Sequence, residues 1–341
     1  MSLTLNLEPL IAEQVRNTLS ELKLDDRIDE ALGVAVQKAS KHITVTNART
    51  TEKMGVQHKQ FETILKLVNL GENLMIKGEA GNGKSYVVEQ VAKALNIPFH
   101  SMSVSNQTTK TDLLGFVDAN GVYRFNGFIS AFKEGGIFNM DEIDAGNANV
   151  LVVMNSALSN GFIECPNGEM IYAHKDFRFT STANTVGRGA TSKYVGRNKL
   201  DSATMDRFAV LNYELDEDIE LMMCGNDKEF HTAIKAMREE ADKNYEDFIV
   251  SQRSSSRLYN LITNGFSITD GLEIAVFKGC DEDIVKTLTK KFTSKFTMPT
   301  ESNTDIPYKP RPEVSEEVVE PTVNEPEESY TDNEETENMD W

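Results

Sequence analysis

The chain has 341 residues, of which 39% are hydrophobic and 26% are charged, so it is long enough to bury one large core or two modest ones. No apolar run reaches the roughly 18 residues that a membrane span needs, and the N-terminus lacks the pattern of a secretory signal. The net charge is −19, but residues 301–341 carry −12 of it, and the mildly acidic remainder does not favour nucleic acid as a partner. Three widely spaced cysteines predict neither a disulfide nor a metal site and favour a cytoplasmic location.

The first segment, residues 1–57, is predicted to be a helical N-terminal region. Its stretches LEPLIAEQVRNTLSELK and RIDEALGVAVQKASKHI place apolar residues at intervals of three and four. The polar stretch TNARTTEK is predicted to be a connector. The next stretch, QHKQFETILKLVNLG, has the same helical period and is expected to end at Gly71.

Short apolar strands then alternate with helical stretches, which predicts a parallel sheet with helices on both faces over residues 58–215. The predicted strands are NLMIK, PFHSMSV, GIFNM, FRFTSTA and AVLNYEL. Residues 216–296 contain only helical patterns and are predicted to form a separate helical lid. Residues 297–341 are acidic and rich in proline, so they are predicted to be disordered.

The stretch GEAGNGKS has the G-x-x-x-x-G-K-S spacing of a phosphate-binding loop, and it lies between a predicted strand and a predicted helix. Glycines allow several backbone N–H groups to converge on one anion, and the helix adds its positive end. The lysine is expected to contact the β- and γ-phosphates of ATP, and the serine to bind Mg²⁺. The alternative is a glycine-rich turn with an incidental lysine. The predicted nucleotide contacts are Gly78, Glu79, Ala80, Gly81, Asn82, Gly83, Lys84, Ser85 and Tyr86.

An acidic pair follows the buried strand GIFNM. Asp141 at the strand tip is predicted to bind Mg²⁺, directly or through water, and Glu142 to polarise the attacking water as a general base. The alternative is a charged helix N-terminus, where acidic residues are common. Together with the phosphate loop, the pair predicts hydrolysis of ATP rather than transfer of its phosphoryl group.

These motifs, with the stretch DFRFTSTANTVGRGATSKYVGRNKLDSATMDRF, resemble the AAA+ ATPases of the dynein-related, MoxR-like branch. The chain is most similar to the cobaltochelatase subunit of the CobS type and its phage-encoded relatives. The resemblance covers roughly residues 58–265. It implies a P-loop NTPase fold with a helical lid, and a homo-oligomeric ring, most simply a hexamer. For a phage-encoded member the location would be the host cytoplasm.

The resemblance also implies further site residues. Asn184 matches the sensor that orients the lytic water, and Arg207 matches the arginine finger that reaches the nucleotide of a neighbouring subunit. Arg253 matches the lid sensor, although Gln252 stands where the family usually has proline, so Arg257 is an alternative. Two further arginines of the loop after Asn184 are candidates, but the favoured interpretation makes both surface cations. They are Arg188 and Arg197.

Residues 113–129 and 161–174 are predicted to be two hairpins, turning at DANG and PNG. The resemblance implies that such hairpins face the substrate, with Phe116, Val122, Tyr123 and Phe125 as contacts. The alternative is that they only pack on their own domain. The expected partner is a protein, such as one with a von Willebrand factor A-like domain. No interaction with a membrane is expected.

A nucleic-acid motor in replication or packaging remains the alternative function, because helicases share this ATPase core. A second rival is a non-catalytic scaffold gated by nucleotide, against which the full set of ATPase residues argues. The acidic tail ends in the only tryptophan, Trp341, and could dock a partner or merely aid solubility.

Overall fold

A computed structural model describes residues 42–46 and 51–297. Five parallel strands form its central sheet in the order β5-β1-β4-β3-β2. Every strand of the sheet was expected from the sequence, and the predicted α/β class is confirmed. The bounds are β1 (Leu74–Lys77), β2 (Phe99–Ser103), β3 (Gly136–Asp141), β4 (Phe177–Ala183) and β5 (Ala209–Asn212).

Helices cover both faces of the sheet. On one face, α1 (Phe61–Leu70) and α2 (Lys84–Leu95) pack on a cluster that includes Leu74 and Ile76. On the other face, α4 (Gly127–Glu134) and α5 (Ala148–Asn160) pack on a cluster that includes Met75 and Phe138. Neighbouring residues of β1 therefore serve opposite faces, as the pleat requires. As expected, α1 ends at Gly71, whose left-handed backbone caps it.

Two short hairpins project from the sheet domain. The first pairs Phe116–Val117 with Tyr123–Arg124 through the expected turn, and the second pairs Phe162–Glu164 with Met170–Tyr172. The first hairpin is shorter than the predicted 113–129. A capping box at Thr109 starts helix α3 (Lys110–Leu114), and the Asn126 side chain caps the start of α4.

The C-terminal part is helical, as predicted. Its helices enclose a separate apolar cluster, which includes Phe230, Leu258 and Phe292. A short helix, α6 (Ser202–Met205), precedes β5 in the sheet domain. The lid helices are α7 (Glu217–Met223), α8 (Lys228–Asn244), α9 (Gln252–Thr263), α10 (Ile268–Leu272) and α11 (Glu282–Thr293), with a π-helical turn at Glu273–Phe277.

The helical prediction for residues 1–57 is wrong where the structure describes this region. His42–Thr46 and Thr51–Val56 form an antiparallel pair, and they include half of the predicted connector TNARTTEK. The stretch ITVT is β-branched throughout, which favours extended backbone over the helical period that precedes it. Predictions for residues 1–41 and for the acidic tail with Trp341 lie outside the described residues.

Candidate active site

The predicted phosphate loop joins the carboxyl end of β1 to the first turn of α2. Gly81 and Gly83 both have left-handed backbones, with φ of 85° and 83°, which glycine adopts without steric cost. Gly78 lies so close to the neighbouring strand that an added Cβ would be 2.4 Å from the carbonyl oxygen of Tyr213. The glycine spacing of the sequence is therefore needed by the backbone path of the loop.

Lys84 points back into this loop and is nearly buried. Its ammonium donates to the carbonyl oxygens of Gly78 (2.8 Å) and Glu79 (2.9 Å) and to Oδ1 of Asn184 (2.9 Å). Burial lowers the pKa of Lys84 to about 8, although nearby carboxylates oppose that shift. The charged ammonium is thus held by neutral oxygens, so an incoming phosphate would be a stronger partner than those it has.

The two residues predicted to bind Mg²⁺ are in contact. Ser85 Oγ donates to Asp141 Oδ1 at 2.9 Å, and the Thr182 hydroxyl donates to the same carboxylate oxygen. A hydroxyl and a carboxylate are hard oxygen ligands, and Mg²⁺ is commonly held by one or two such groups together with water and phosphate. Among the described residues no group of three or more His, Cys, Asp or Glu side chains could form a metal cage by itself. The Ser85 and Asp141 oxygens therefore fit a hard divalent cation such as Mg²⁺.

Glu142 follows at the strand tip in a left-handed conformation, with φ of 57°. Such a backbone costs a non-glycine residue about 1 kcal/mol. In this conformation the Glu142 N–H donates to the Thr182 hydroxyl (3.3 Å), and the Glu142 side chain is 46% exposed beside the phosphate loop. The exposed carboxylate is positioned to meet water, whereas Asp141 is tied to Ser85.

Asn184 lies at the end of β4, where its amide meets Lys84. Its backbone is fixed by Asp144, a fully buried carboxylate that the sequence analysis did not single out. Asp144 Oδ2 accepts from the backbone N–H of Asn184 (3.1 Å) and from the N–H and the hydroxyl of Thr185, both at 2.9 Å. The signal for Asp144 was its place in MDEID, where a second acidic residue follows the catalytic candidate within an otherwise apolar turn.

Arg197 bridges two of these carboxylates. Nη1 pairs with Asp144 Oδ1 and Nη2 with Glu142 Oε1, each at 3.3 Å, and the Arg197 side chain is only 13% exposed. The favoured interpretation of Arg197 as a surface cation is therefore wrong, because a buried carboxylate draws it inward. Arg188, on the same loop, is exposed, as that interpretation expected.

Two neighbours of Arg197 cover the phosphate loop, and sequence reasoning missed both. The Tyr194 hydroxyl accepts from the Ala80 N–H at 3.1 Å. The Lys193 ammonium lies 3.5 Å from a carboxylate oxygen of Glu79 and 3.3 Å from one of Asp242 on α8. This segment thus links the phosphate loop to the lid.

A cleft of about 1000 Å³ opens between the phosphate loop and the lid. Both lid arginines, Arg253 and Arg257, line it from α9, so the choice between them stays open. Gly81 packs directly on the start of α9, because a Cβ added there would lie 3.2 Å from the Arg253 Cβ. Further lining residues include His58, Tyr86, Tyr213, Ile219 and Met222.

Arg207 lies away from this cluster. It precedes β5, whose first residue pairs with Leu74 at the amino end of β1. Arg207 therefore lies at the amino ends of the strands, whereas the phosphate loop lies at their carboxyl ends. Its Nε donates to Ser159 Oγ at 2.8 Å, and Nη1 donates to the carbonyl oxygen of Ala203. The structure therefore brings together the other core site residues but not Arg207.

Part of this chain is similar in sequence to known proteins. A family model described as AAA domain (dynein-related subfamily) matches residues 73–208, from the start of the sheet to just past Arg207. The aerobic cobaltochelatase subunit CobS of Sinorhizobium sp is 34% identical over 153 residues, which are 41% of this chain and 46% of that protein. An uncharacterized protein of Staphylococcus saprophyticus is 29% identical over 174 residues, or 47% of this chain and 62% of that one. The chain therefore spans about half the length of these relatives.

Two solved structures are more distant likenesses. The RuvB Holliday junction branch migration motor of Thermotoga maritima has a TM-score of 0.42 and 15% identity over 69% of each chain. NtrX from Brucella abortus has a TM-score of 0.41 and 12% identity, covering 80% of this chain and 55% of that one. Similarity at this level carries no argument about the fold or function of this chain.

Proposed function

We propose that this chain is an AAA+ ATPase of the dynein-related type that hydrolyses Mg²⁺-ATP in a homo-oligomeric ring to remodel a protein partner. The match of residues 73–208 to the AAA domain of that subfamily supports the proposal. One observation carries the proposal above all. Lys84, Ser85, Asp141 and Asn184 meet around the phosphate loop through direct hydrogen bonds, with Glu142 beside them. Each group is of the type that phosphoryl chemistry needs at that point.

Lys84 and the loop amides would bind the phosphates of ATP. The ammonium would exchange its three neutral acceptors for charged phosphate oxygens, which make stronger hydrogen bonds. Ser85 and Asp141 would hold the ion, and Mg²⁺ when bound supplies charge neutralisation at the β- and γ-phosphates.

Glu142 and Asn184 would act on the water. The exposed Glu142 carboxylate would accept a proton from it, while the Asn184 side chain would orient it once Lys84 has turned to the phosphate. Water attack on the γ-phosphorus then forms the new P–O bond and breaks the bond to ADP. The released proton stays on Glu142 until it passes to solvent.

Arg207 supports a ring. It is separated from its own phosphate loop by the length of β5 and its flanks, about 20 Å at 3.3 Å per residue. An arginine at the far end of the strands cannot reach the nucleotide of its own subunit. Head-to-tail packing of copies would bring it to the nucleotide of a neighbouring subunit. A permanently charged, forked guanidinium suits that role. A hexamer is the simplest such ring.

The two hairpins are the proposed contact with the protein partner. Their side chains include large exposed apolar groups, among them Phe116, Val122, Phe162, Met170 and Tyr172. Apolar clusters of this kind mark interaction surfaces on soluble domains. The partner proposed for this surface is a protein with a von Willebrand factor A-like domain. Phe125 is also exposed, whereas Tyr123 is partly buried and donates to the Leu114 carbonyl oxygen.

The cytoplasm, or the host cytoplasm for a phage-encoded protein, is the proposed location. Cys165, Cys224 and Cys280 are free thiols, which supports a reducing compartment. In the described part of the chain, no helix combines the length and apolarity needed to cross a bilayer.

Mixing two inactive variants tests the shared site. Glu142→Gln should bind ATP and assemble but hydrolyse slowly, and Arg207→Ala should lose turnover by about 1000-fold, as other arginine fingers do. Mixed rings would rebuild complete sites where an Arg207→Ala subunit meets the intact arginine of a Glu142→Gln subunit. Phosphate release should then recover, to about a quarter of wild type in randomly mixed rings.

The matched control mixes Glu142→Gln with the double variant Glu142→Gln/Arg207→Ala, which cannot form a complete site. Recovery in the control, or none in the test mixture despite assembly shown by size-exclusion chromatography with ATP, would contradict the role across subunits. Near-normal turnover by Glu142→Gln alone would remove its role as the base. Strong stimulation by DNA that declines with salt would instead favour a nucleic-acid motor.

A further inference from the structure

Asp144 is a carboxylate that the hydrolytic step does not use, yet it is fully buried. Burying a charge is strongly unfavourable unless hydrogen bonds and an opposite charge compensate. Three donors of Asn184 and Thr185 contact one of its oxygens, and Arg197 contacts the other. The carboxylate is therefore anchored at the end of β4.

Arg197 connects this anchor to the reacting groups. Its two terminal nitrogens contact different carboxylates, the buried Asp144 and the half-exposed Glu142, each at 3.3 Å. The guanidinium is planar and rigid, so fixing one nitrogen constrains where the other lies. The long and otherwise mobile Glu142 side chain is thereby held by a group whose own position is set by the core.

Asp144 acts on the amide of the site as well. It holds the backbone of Asn184, whose side chain accepts from Lys84 Nζ at 2.9 Å. Glu142 and Asn184, the two groups proposed to act on the water, are therefore both positioned by the same buried carboxylate. Glu142 is linked to it through the Arg197 guanidinium, and Asn184 through its own backbone N–H. Their separation depends on the Asp144–Arg197 pair.

We propose that Asp144 and Arg197 form a positioning unit for ATP hydrolysis, in which Arg197 holds the Glu142 carboxylate at a fixed place relative to Asn184. The inference rests on the proposed role of Glu142 as the general base. Arg197 acts through Glu142 and is not required to bind ATP. It belongs to the same subunit as the base, unlike the proposed arginine finger.

The test is a double-mutant cycle in the full-length protein, with kcat, KM and ATP affinity measured for each variant. Arg197→Ala should lower kcat roughly 10- to 100-fold, the usual effect of misplacing a catalytic group. KM and ATP affinity should change less than about threefold, because ground-state binding is retained. Arg197→Lys should recover part of kcat, since an ammonium keeps the charge but not the fork.

The discriminating measurement is the effect of Arg197→Ala in the Glu142→Gln background, where the residual rate is measured by single-turnover hydrolysis. If Arg197 acts through Glu142, then adding Arg197→Ala to Glu142→Gln should change the residual rate less than about threefold. Arg188→Ala removes an exposed cation from the same loop and is the matched control, for which wild-type turnover is expected. Arg197→Gln, with thermal unfolding as a check, replaces Arg197→Ala if that variant does not fold.

Several outcomes would overturn the inference. A loss of ATP affinity without loss of kcat would make Arg197 a phosphate ligand instead. A further large drop in the Glu142→Gln background would show that Arg197 acts independently of the base, and normal turnover by Arg197→Ala would leave it without a role. Full turnover by Glu142→Gln alone would refute the base and with it the positioning role, whereas an inactive Glu142→Gln beside a fully active Arg197→Ala would refute the positioning role alone.

Discussion

The sheet domain and the lid each contain one fully buried carboxylate that pairs with an arginine, but the two pairs are connected differently. Asp144 in the sheet domain shares its arginine, Arg197, with an exposed third group. Glu220 in the lid receives both terminal nitrogens of Arg238. The same chemistry thus forms an open arrangement beside the phosphate loop and a closed one between the lid helices.

The closed arrangement joins helices. Arg238 on α8 holds Glu220 on α7 and donates through Nε to the carbonyl oxygen of Val250 at 2.9 Å, just before α9. Ser255 on α9 donates to the same carboxylate and completes the cluster. Every contact serves the lid itself, so we expect this cluster to contribute to stability and to the placement of the lid arginines.

The open arrangement extends to Glu142, the proposed general base. Arg197 divides its two nitrogens between an anchored carboxylate and one that is 46% exposed, and both contacts are longer than those within the lid pair. An arginine that holds one carboxylate with both nitrogens maximises strength, whereas one that divides them conveys position. This difference predicts that the two pairs will fail in different ways when mutated.

The largest expected effect is on stability, from Glu220→Ala. The change leaves the mostly buried Arg238 guanidinium without its carboxylate, and removing one partner of a buried pair costs about 3–5 kcal/mol. Urea unfolding measures it. The matched control is Glu217→Ala on the same helix as Glu220, which breaks an exposed pair with Lys235 of α8 and should lower the unfolding midpoint far less. Equal unfolding midpoints for the two variants would contradict a structural role for the closed cluster.

A smaller loss of stability is expected from Asp144→Asn, but with a larger effect on turnover. The amide keeps the shape and loses the charge that attracts Arg197, so unfolding should become easier by about 1–3 kcal/mol. Turnover should fall about tenfold or more, because the Glu142 carboxylate is then held less firmly. The matched isostere in the lid, Glu220→Gln, should change kcat less than about threefold at temperatures where it is folded. A similar loss of kcat in both variants would break the contrast between the pairs.

Much of the sheet domain follows from local sequence. The five strands are short apolar runs next to turns, and the phosphate loop has a fixed spacing of glycines, so neither requires knowledge of distant contacts. The hairpin of His42–Thr46 with Thr51–Val56 shows the limit of periodicity. There a β-branched run follows a helical pattern without a break, and its own preference decides.

The positioning residues could not be found in this way. Arg197 meets Glu142 across 55 positions of the chain, and Tyr194 meets Ala80 across 114. No local pattern distinguishes an arginine that turns inward from an exposed one such as Arg188 on the same loop. The distinction depends on a buried carboxylate elsewhere, which becomes visible only when the strand ends are brought together.

The smallest expected effect concerns His58, which lies where the sheet domain meets the lid and belongs to neither carboxylate pair. Its ring stacks on Tyr213 with centroids 4.0 Å apart; Nε2 lies 2.9 Å from the carbonyl oxygen of Glu214, and Nδ1 accepts from the Gln60 N–H. This arrangement suits the neutral ring, and burial lowers the pKa of His58 below its usual value of 6.5.

Because the unfolded chain binds this proton more readily than the folded one, stability should fall as the pH decreases below about 6.5. His58→Phe keeps an aromatic ring against Tyr213 and cannot titrate. Between pH 7.5 and pH 5.5 the wild type should therefore lose up to about 1 kcal/mol more stability than this variant, measured by urea unfolding. An equal loss in the two proteins would mean that other groups cause the acid sensitivity. A greater loss in the variant would mean that the charged ring is tolerated where the structure favours the neutral one.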